Sequence, residues 1–147
     1  MIRKAVGAIV TCENKFMLVQ KVKINSKLGT HEIEAEWDFL KGGVKEEDID
    51  LKQSLLRELE EETGETNYRI IKQFKEQVLF EFPPSIKNVT GFENQVTTMF
   101  HVEYLGCCNE LVAHDEEINE IRFVDIKHVL DYLKHEETKE FFKKYFY

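Results

Sequence analysis

The chain has few residues of the kinds that mark several protein classes. Its 147 residues include two prolines and three cysteines. No run approaches the roughly 20 apolar residues that a membrane-spanning helix needs, and the N-terminal apolar stretch meets charge again at Glu13. We therefore expect no membrane partner and a cytoplasmic location. Because 42% of the residues are hydrophobic, we expect one domain over residues 1–147.

The cysteines are too few and too irregularly spaced for a cysteine-based framework. Cys12, Cys107 and Cys108 are odd in number and form no C-x-x-C pair. Neither a disulfide framework nor a zinc site is indicated, so we predict reduced thiols in or near the core.

Positive charge is also scarce. The chain has 20 Lys+Arg against 28 Asp+Glu, a formal net charge of −8. This balance argues against binding to duplex nucleic acid through an extended basic surface, although a small nucleotide could still be bound locally.

The alternation of apolar residues predicts strands on both sides of one helix. Ala5–Cys12 and Phe16–Val22 are predicted to form a hairpin around residues 13–15. Loops are expected at residues 25–31 and 83–94. Further strands are expected at residues 37–40, 69–74, 76–82, 95–105 and 120–126, and helices at residues 51–63, 127–134 and 136–145. This order predicts a mixed α/β (α+β) domain with helices packed on a sheet.

The central helix contains an unusual concentration of negative charge. Nine acidic and two basic residues lie between Glu46 and Glu65. Asp50 is predicted to cap the helix, with Gln53 reaching back to the cap, and Gly64 to end it in the left-handed conformation. At about 100° per residue, a buried stripe of Leu55, Leu56, Leu59 and Thr63 lies beside an arc of Glu58, Glu61 and Glu62.

This arc is locally unfavourable. Each like-charged pair one turn apart costs about 0.2–0.5 kcal/mol, and each anion in the last turn costs about 0.3–1 kcal/mol. A divalent cation would reverse the sign of these interactions, because carboxylate oxygens are ligands that Mg²⁺ selects. The alternative is an ordinary solvated acidic helix face.

The segment Gly42–Asp48 followed by Arg57–Gly64 resembles the Nudix box of the MutT-like Nudix hydrolases, G-x5-E-x7-R-E-U-x-E-E-x-G-U, where U is a bulky aliphatic residue. Arg57–Gly64 matches at every fixed position. Two departures stand out. Counted back from Arg57 without a gap, the first glutamate of the pattern falls on Ile49, whereas one residue inserted between Asp48 and Asp50 makes Asp48 a shorter substitute for it. Glu65 occupies the last aliphatic position. The substitution at Asp48 leaves the number of bound metal ions open.

The resemblance implies a Nudix fold, a mixed sheet sandwiched between helices, with a catalytic loop-helix-loop. It implies Mg²⁺ or Mn²⁺ held by Glu58, Glu61, Glu62 and the Gly42 carbonyl, with Arg57 as an ion pair that orients the glutamates. A later acidic residue would serve as a further ligand or general base. Its candidates are Glu117 first, then Glu116 and Glu120.

The resemblance also implies hydrolysis of a phosphoanhydride bond in a small nucleotide. Trp37–Gly43 is similar to a segment of Nudix enzymes that act on dinucleoside polyphosphates or RNA 5′ ends. Trp37, Phe80 and Phe82 are candidates for stacking on a base, and Lys41, with Lys21 and Lys23, for meeting phosphate. A nucleoside triphosphate and a dinucleoside polyphosphate fit about equally well as substrates. The oligomeric state stays open, with a homodimer among the options. The alternative function is that of a catalytically inactive Nudix-fold nucleotide-binding or regulatory module.

Overall fold

A computed structural model of the protein describes residues 1–26 and 29–147, and side chains outside residues 25–28. The strands of the described residues are β1 (Ile2–Cys12), β2 (Lys15–Ser26), β3 (Gly29–Asp38), β4 (Leu40–Gly43), β5 (Tyr68–Glu81), β6 (Asn94–Tyr104) and β7 (Ile118–Val124). The helices are α1 (Leu51–Thr63), α2 (Pro84–Thr90), α3 (Ile126–Tyr132) and α4 (Glu136–Phe146), and a 3-10 turn spans Cys108–Glu110.

The described strands form one mixed sheet with β1 at its centre. The main order is β3-β2-β1-β6-β5, while β4 pairs with β1 and β7 with β2. β1 runs parallel to β6, and the other pairs are antiparallel. The side chains from Ala5 to Val10 are buried on both faces, as expected of a central strand in a covered sheet.

Helices cover both faces of the sheet. One apolar cluster contains Leu55 and Leu59 of α1, and a second contains Val129 of α3 with Phe141 and Phe142 of α4. Full burial of each such side chain contributes about 1.5–3 kcal/mol, which anchors the helices to the sheet. The predicted mixed sheet between helices is confirmed. No helix in the described ranges has both the length and the apolar composition needed to cross a membrane.

The predictions of the turn, of Asp50 as N-cap and of Gly64 as the helix end are confirmed, while the predicted partner of the Gln53 side chain is wrong. Glu13 and Asn14 have φ of 51° and 64° in the β1–β2 hairpin, as a two-residue turn between twisted strands requires. Asp50 caps α1 by accepting the Gln53 backbone N–H at 2.8 Å, and Gly64 ends the helix with φ 75°. The Gln53 side chain reaches the N–H of Ile49, one residue before the predicted partner.

Four predicted features are wrong. Residues 83–94 include the short helix α2 instead of a loop throughout, because Pro84 starts a helix without losing a needed donor and Gly91 closes it at φ 77°. Residues 25, 26 and 29–31 belong to strands, while Lys27 and Leu28 lie outside the described residues. The two strands expected over residues 69–82 are one, β5, with irregular pairing midway. Leu56 is 41% exposed instead of buried.

The prediction of three reduced cysteines is also wrong. Cys12 and Cys108 form a disulfide across a sequence separation of 96, while Cys107 is free and exposed. The parallel pairing of β1 with β6 places Thr11 opposite Glu103, so the segment after β6 lies beside the end of β1. The disulfide thus ties β1 to the segment that leads into β7.

Loss of this disulfide is expected to lower stability. Closing a long loop restricts the unfolded chain, and removing such a bond costs about 2–4 kcal/mol. We expect Cys108→Ser to unfold at lower urea concentration than the wild type, and Cys107→Ser, the matched control, to unfold at the wild-type midpoint. Equal midpoints for the wild type and Cys108→Ser under oxidising conditions would show that the bond contributes nothing.

Candidate active site

Arg57 organises the acidic end of α1. Its guanidinium donates to the Gly43 carbonyl at 3.0 Å and pairs with Asp48 at 2.9 Å. It also pairs with Glu58 at 2.9 Å and Glu61 at 3.3 Å. A planar guanidinium can serve several acceptors at fixed angles, so it joins the loop before α1 to two glutamates of the helix.

Asp48 is the loop partner of Arg57. It accepts the Lys45 backbone N–H at 2.9 Å and the Ser54 hydroxyl at 2.6 Å. The hydrogen bond from Arg57, against the opposing effect of burial, holds the pKa of Asp48 well below its usual range. The neighbouring Ile49 side chain is 85% exposed and leaves this contact undisturbed. The Asp48 carboxylate therefore binds Arg57.

Gly42 allows the Glu58 side chain to lie directly against the backbone of β4. A Cβ at position 42 would overlap the Glu58 carboxyl group. Glu58 is 6% exposed, and its burial raises the pKa to about 7 despite the neighbouring Arg57. The backbone of Gly42 and the Glu58 carboxyl thus lie together, where the sequence predicted two of the metal ligands.

Glu62 is the most isolated of the acidic groups on α1. It is 1% exposed, and neither side-chain oxygen has a hydrogen-bond partner among the described residues. Burial, and then the charge of Glu58, raises its pKa well above the usual value. An unpartnered buried carboxylate is costly, so this group calls for a proton or a cation.

Glu117 approaches Glu62 from the start of β7. The Val22 and Lys23 backbone N–H groups donate to its carbonyl at 2.9 and 3.3 Å, which fixes the loop. Its carboxyl lies close to that of Glu62, and burial raises its pKa. The other two candidates are each paired with a basic side chain, Glu116 with Lys23 and Glu120 with Arg122.

The donor set fits a hard divalent cation. Its members are carboxylate and carbonyl oxygens, the ligands that Mg²⁺ and Mn²⁺ prefer, and Glu62 contributes two unpartnered oxygens. In the described part of the chain, no three acidic, histidine or cysteine side chains are gathered as a finished ligand cluster. Arg57 holds Glu58 and Glu61, so these two carboxylates are paired with the chain's own cation.

A cavity of about 620 Å³ is lined in part by Arg3, whose guanidinium lies near Glu58, Glu62 and Glu117. Phe82 and Lys41 line it, but Lys41 is buried and bound to Asp38 at 3.1 Å and Thr138 at 2.9 Å. Trp37 is not part of the cavity lining. Its ring lies 5.5 Å from that of Tyr132 and 4.9 Å from the Arg122 guanidinium. The structure therefore does not bring Trp37 together with the other candidate substrate residues.

Arg3 is a site residue that the sequence did not reveal. It lines the cavity, donates to the Gln95 side chain at 2.6 Å and lies near Glu58, Glu62 and Glu117. Burial lowers its pKa, and these three acidic groups oppose that shift. Its neighbours come from distant parts of the chain, so only the tertiary pairing of β1 with β4 and β6 places it there.

The raised pKa of Glu58 predicts how stability depends on pH without metal. A folded pKa of about 7 against an ordinary 4.5 means that protonation favours folding, so this stabilisation is lost as the pH rises through 7. The metal-free protein should be more stable at pH 6 than at pH 8, by about 1 kcal/mol from Glu58 alone. Urea unfolding in EDTA measures this difference. Glu58→Gln should shrink it and Glu60→Gln, an exposed control on the same helix, should not; an unchanged difference in Glu58→Gln would contradict the assignment.

Known proteins share both the sequence pattern and the fold. RNA pyrophosphohydrolase of a Nitratiruptor species is 32% identical over 116 residues, which cover 74% of each chain. RNA pyrophosphohydrolase of Campylobacter jejuni is 28% identical over 114 residues, 75% of this chain and 72% of the relative.

Among solved structures, a MutT protein from Methanosarcina mazei Go1 has a TM-score of 0.73 at 23% identity, covering 97% of this chain and 91% of its own. An Ap4A hydrolase of C. elegans has a TM-score of 0.70 at 15% identity, with 97% and 94% covered. These two likenesses concern the fold. The family model described as NUDIX domain matches residues 1–145, and the chain accordingly belongs to the NUDIX family.

Proposed function

We propose that the protein is a pyrophosphohydrolase that uses Mg²⁺ or Mn²⁺ to cleave a phosphoanhydride bond at the 5′ end of a nucleotide or an RNA. The observation that carries the proposal is Glu62, a buried carboxylate with two unpartnered oxygens beside Glu58 and Glu117. Its surroundings would be costly without a cation and become favourable with one. The family membership supports the same reaction class.

Glu58, Glu61, Glu62 and the Gly42 carbonyl would hold the cation, with Glu117 as a further ligand or the general base. When bound, it would neutralise phosphate oxygens and lower the pKa of water. Arg57 keeps Glu58 and Glu61 oriented through its contacts with Asp48 and the Gly43 carbonyl. Burial raises the pKa of the Glu117 carboxyl, and a carboxylate with a raised pKa accepts a proton from water more readily.

Arg3 and Lys21 would receive the phosphates. Both line the cavity and lie near Glu62 and Glu117, so they bring positive charge to the end of the cavity at the acidic site. Arg3 supplies a planar, buried guanidinium, which matches phosphate geometry well. Lys41 would contribute through the local field, since its ammonium is already bound.

An RNA 5′ end is the substrate that we favour. The relatives that share about 30% of their residues with this chain are named RNA pyrophosphohydrolases. A free nucleoside triphosphate or a dinucleoside polyphosphate is the runner-up, the latter because of the likeness in fold to an Ap4A hydrolase. A cytoplasmic location stays a prediction, and the oligomeric state stays open.

A catalytically inactive binding module is the alternative function. The substitution at Asp48, an inserted residue beside it and Glu65 are the features that favour it. Because Asp48 reaches Arg57 at 2.9 Å and Ile49 is exposed, the first two features do not disturb Glu58, Glu61 or Glu62. We therefore rank this alternative below the enzyme.

Removing the charge of Glu62 is expected to abolish most activity without unfolding the protein. Glu62→Gln keeps the shape of the side chain and removes a buried charge, while turnover should fall roughly 100-fold or more. The assay is release of pyrophosphate or phosphate from 5′-triphosphate RNA, nucleoside triphosphates and Ap4A, with Mg²⁺, Mn²⁺ or EDTA. Glu60→Gln is the matched control. A wild-type protein without metal-dependent product on any substrate would refute the enzyme.

Arg3 is expected to act mainly on substrate affinity. Loss of its guanidinium in Arg3→Gln removes a charge-assisted contact and should raise KM roughly 10-fold. Lys4→Gln is the control, since Lys4 is exposed and follows Arg3 on the opposite side of β1. Steady-state kinetics on the best substrate of the panel measures both variants. Equal KM values for Arg3→Gln and Lys4→Gln would remove Arg3 from the binding site.

A further inference from the structure

One wall of the cavity is acidic, which is unexpected beside a phosphate site. The alternating residues Glu32, Glu34, Glu36 and Asp38 of β3 all line it. Asp38 is bound by Lys41, and Glu32 and Glu34 are exposed. Glu32 and Glu34 would repel a polyphosphate, so this wall suits another part of a ligand better.

Glu36 is the carboxylate of this wall that the fold both holds in place and partly buries. Its side chain is 15% exposed, with one oxygen 2.9 Å from Nε2 of His135 and the other 3.5 Å from Nζ of Lys134. Burial alone would raise its pKa, but the hydrogen bond from His135 and the charges of His135, Lys21 and Lys134 lower it. Glu36 is thus ionised and held in one orientation, and its carboxylate oxygens can accept further hydrogen bonds.

An aromatic side chain lies next to this acceptor. The half-buried Phe80 ring lines the cavity, with its centroid 4.6 Å from that of His135 and 5.2 Å from that of Phe82. These neighbours hold the ring in place. An aromatic ring held beside a fixed polar group suits a flat heterocycle, which it can stack upon.

Glu36 lies at a suitable distance from the acidic site. Lys21 of β2 is paired with Glu36 of β3 on one side and with Ile118 of β7, the residue after Glu117, on the other. Two strand spacings, roughly 10 Å, therefore separate Glu36 from the start of β7. A nucleoside extends about this far from its 5′-phosphate to the edge of its base.

The chemistry of a fixed carboxylate selects among the bases. An ionised carboxylate only accepts hydrogen bonds, and two neighbouring donors in one plane bind it best. Guanine presents such a pair, N1–H and the 2-amino group. Adenine and cytosine place an acceptor nitrogen beside their amino group, and uracil flanks its single N–H with two carbonyls. Each of these three bases would bring an acceptor toward Glu36.

We propose that this cavity is a guanine-preferring subsite in which Glu36 accepts N1–H and the 2-amino group while Phe80 stacks on the base. The proposal rests on the proposed function for the position of the phosphates, because it places the 5′-phosphate at Arg3 and the acidic site. His135 and Lys134 are positioning residues that keep Glu36 charged and aimed. The competing explanation is that Glu36 has only a structural role, in which it holds β3 against the start of α4.

Direct binding of the four ribonucleoside 5′-monophosphates, measured by calorimetry without metal, tests the subsite. The wild type should bind GMP at least 10-fold more tightly than AMP, CMP or UMP. Glu36→Gln should lose most of this preference and leave UMP binding within about twofold. Glu34→Gln, an exposed carboxylate of the same wall, is the matched control, and Phe80→Leu should weaken both purines.

Equal affinities of the wild type for the four nucleotides, or no binding of any, would overturn the proposal even if no variant folds. An equal loss of affinity for all four nucleotides in Glu36→Gln would show that Glu36 has only the structural role. Metal-dependent cleavage of triphosphate RNA, assayed separately on transcripts that begin with G or A, keeps the two ideas apart. Cleavage without a preference for GMP would refute the guanine subsite but not the enzyme. A preference for GMP without cleavage would refute the enzyme but not the subsite.

Discussion

The guanidinium of Arg57 is the interaction on which the acidic site depends. It joins the Gly43 carbonyl, Asp48, Glu58 and Glu61, which come from β4, the following loop and α1. Without a central cation, the carboxylates of this helix would repel one another and turn toward solvent. Arg57 offsets part of that repulsion and fixes where α1 begins relative to β4.

The apolar packing of the sheet sets the cost of this arrangement. Leu55 and Leu59 bury one side of α1 against the sheet, and this fixes Glu58 and Glu62 in places with little access to water. The burial of these leucines thus offsets the unfavourable electrostatic repulsion among the carboxylates of α1. A bound cation would relieve this electrostatic repulsion, which the folded chain already carries.

Features that depend on neighbouring residues in the chain are predictable from this sequence. The cap at Asp50, the end of α1 at Gly64 and the turn at Glu13 and Asn14 each follow from two or three adjacent residues. The arc of acidic residues on α1 follows from helical spacing, and the resemblance supplied the fold.

Features that depend on distant segments are not predictable in the same way. The bond between Cys12 and Cys108 and the position of Arg3 arise from strand pairings across about ninety residues. Trp37 shows the same limit, since an aromatic in a strand gives no sign of which face of the sheet borders the cavity. The helix α2 was missed because Pro84 suits a helix start as well as a loop.

The solvent-facing position of Ile49 bears on how such sites vary among proteins. A loop residue that touches little can be gained or lost at small free-energy cost, as long as both ends of the loop stay anchored. Here the anchors are Asp48 and Asp50, one on the arginine and the other on the helix start. A residue gained or lost at this position would therefore leave the contacts of Asp48 and Asp50 in place.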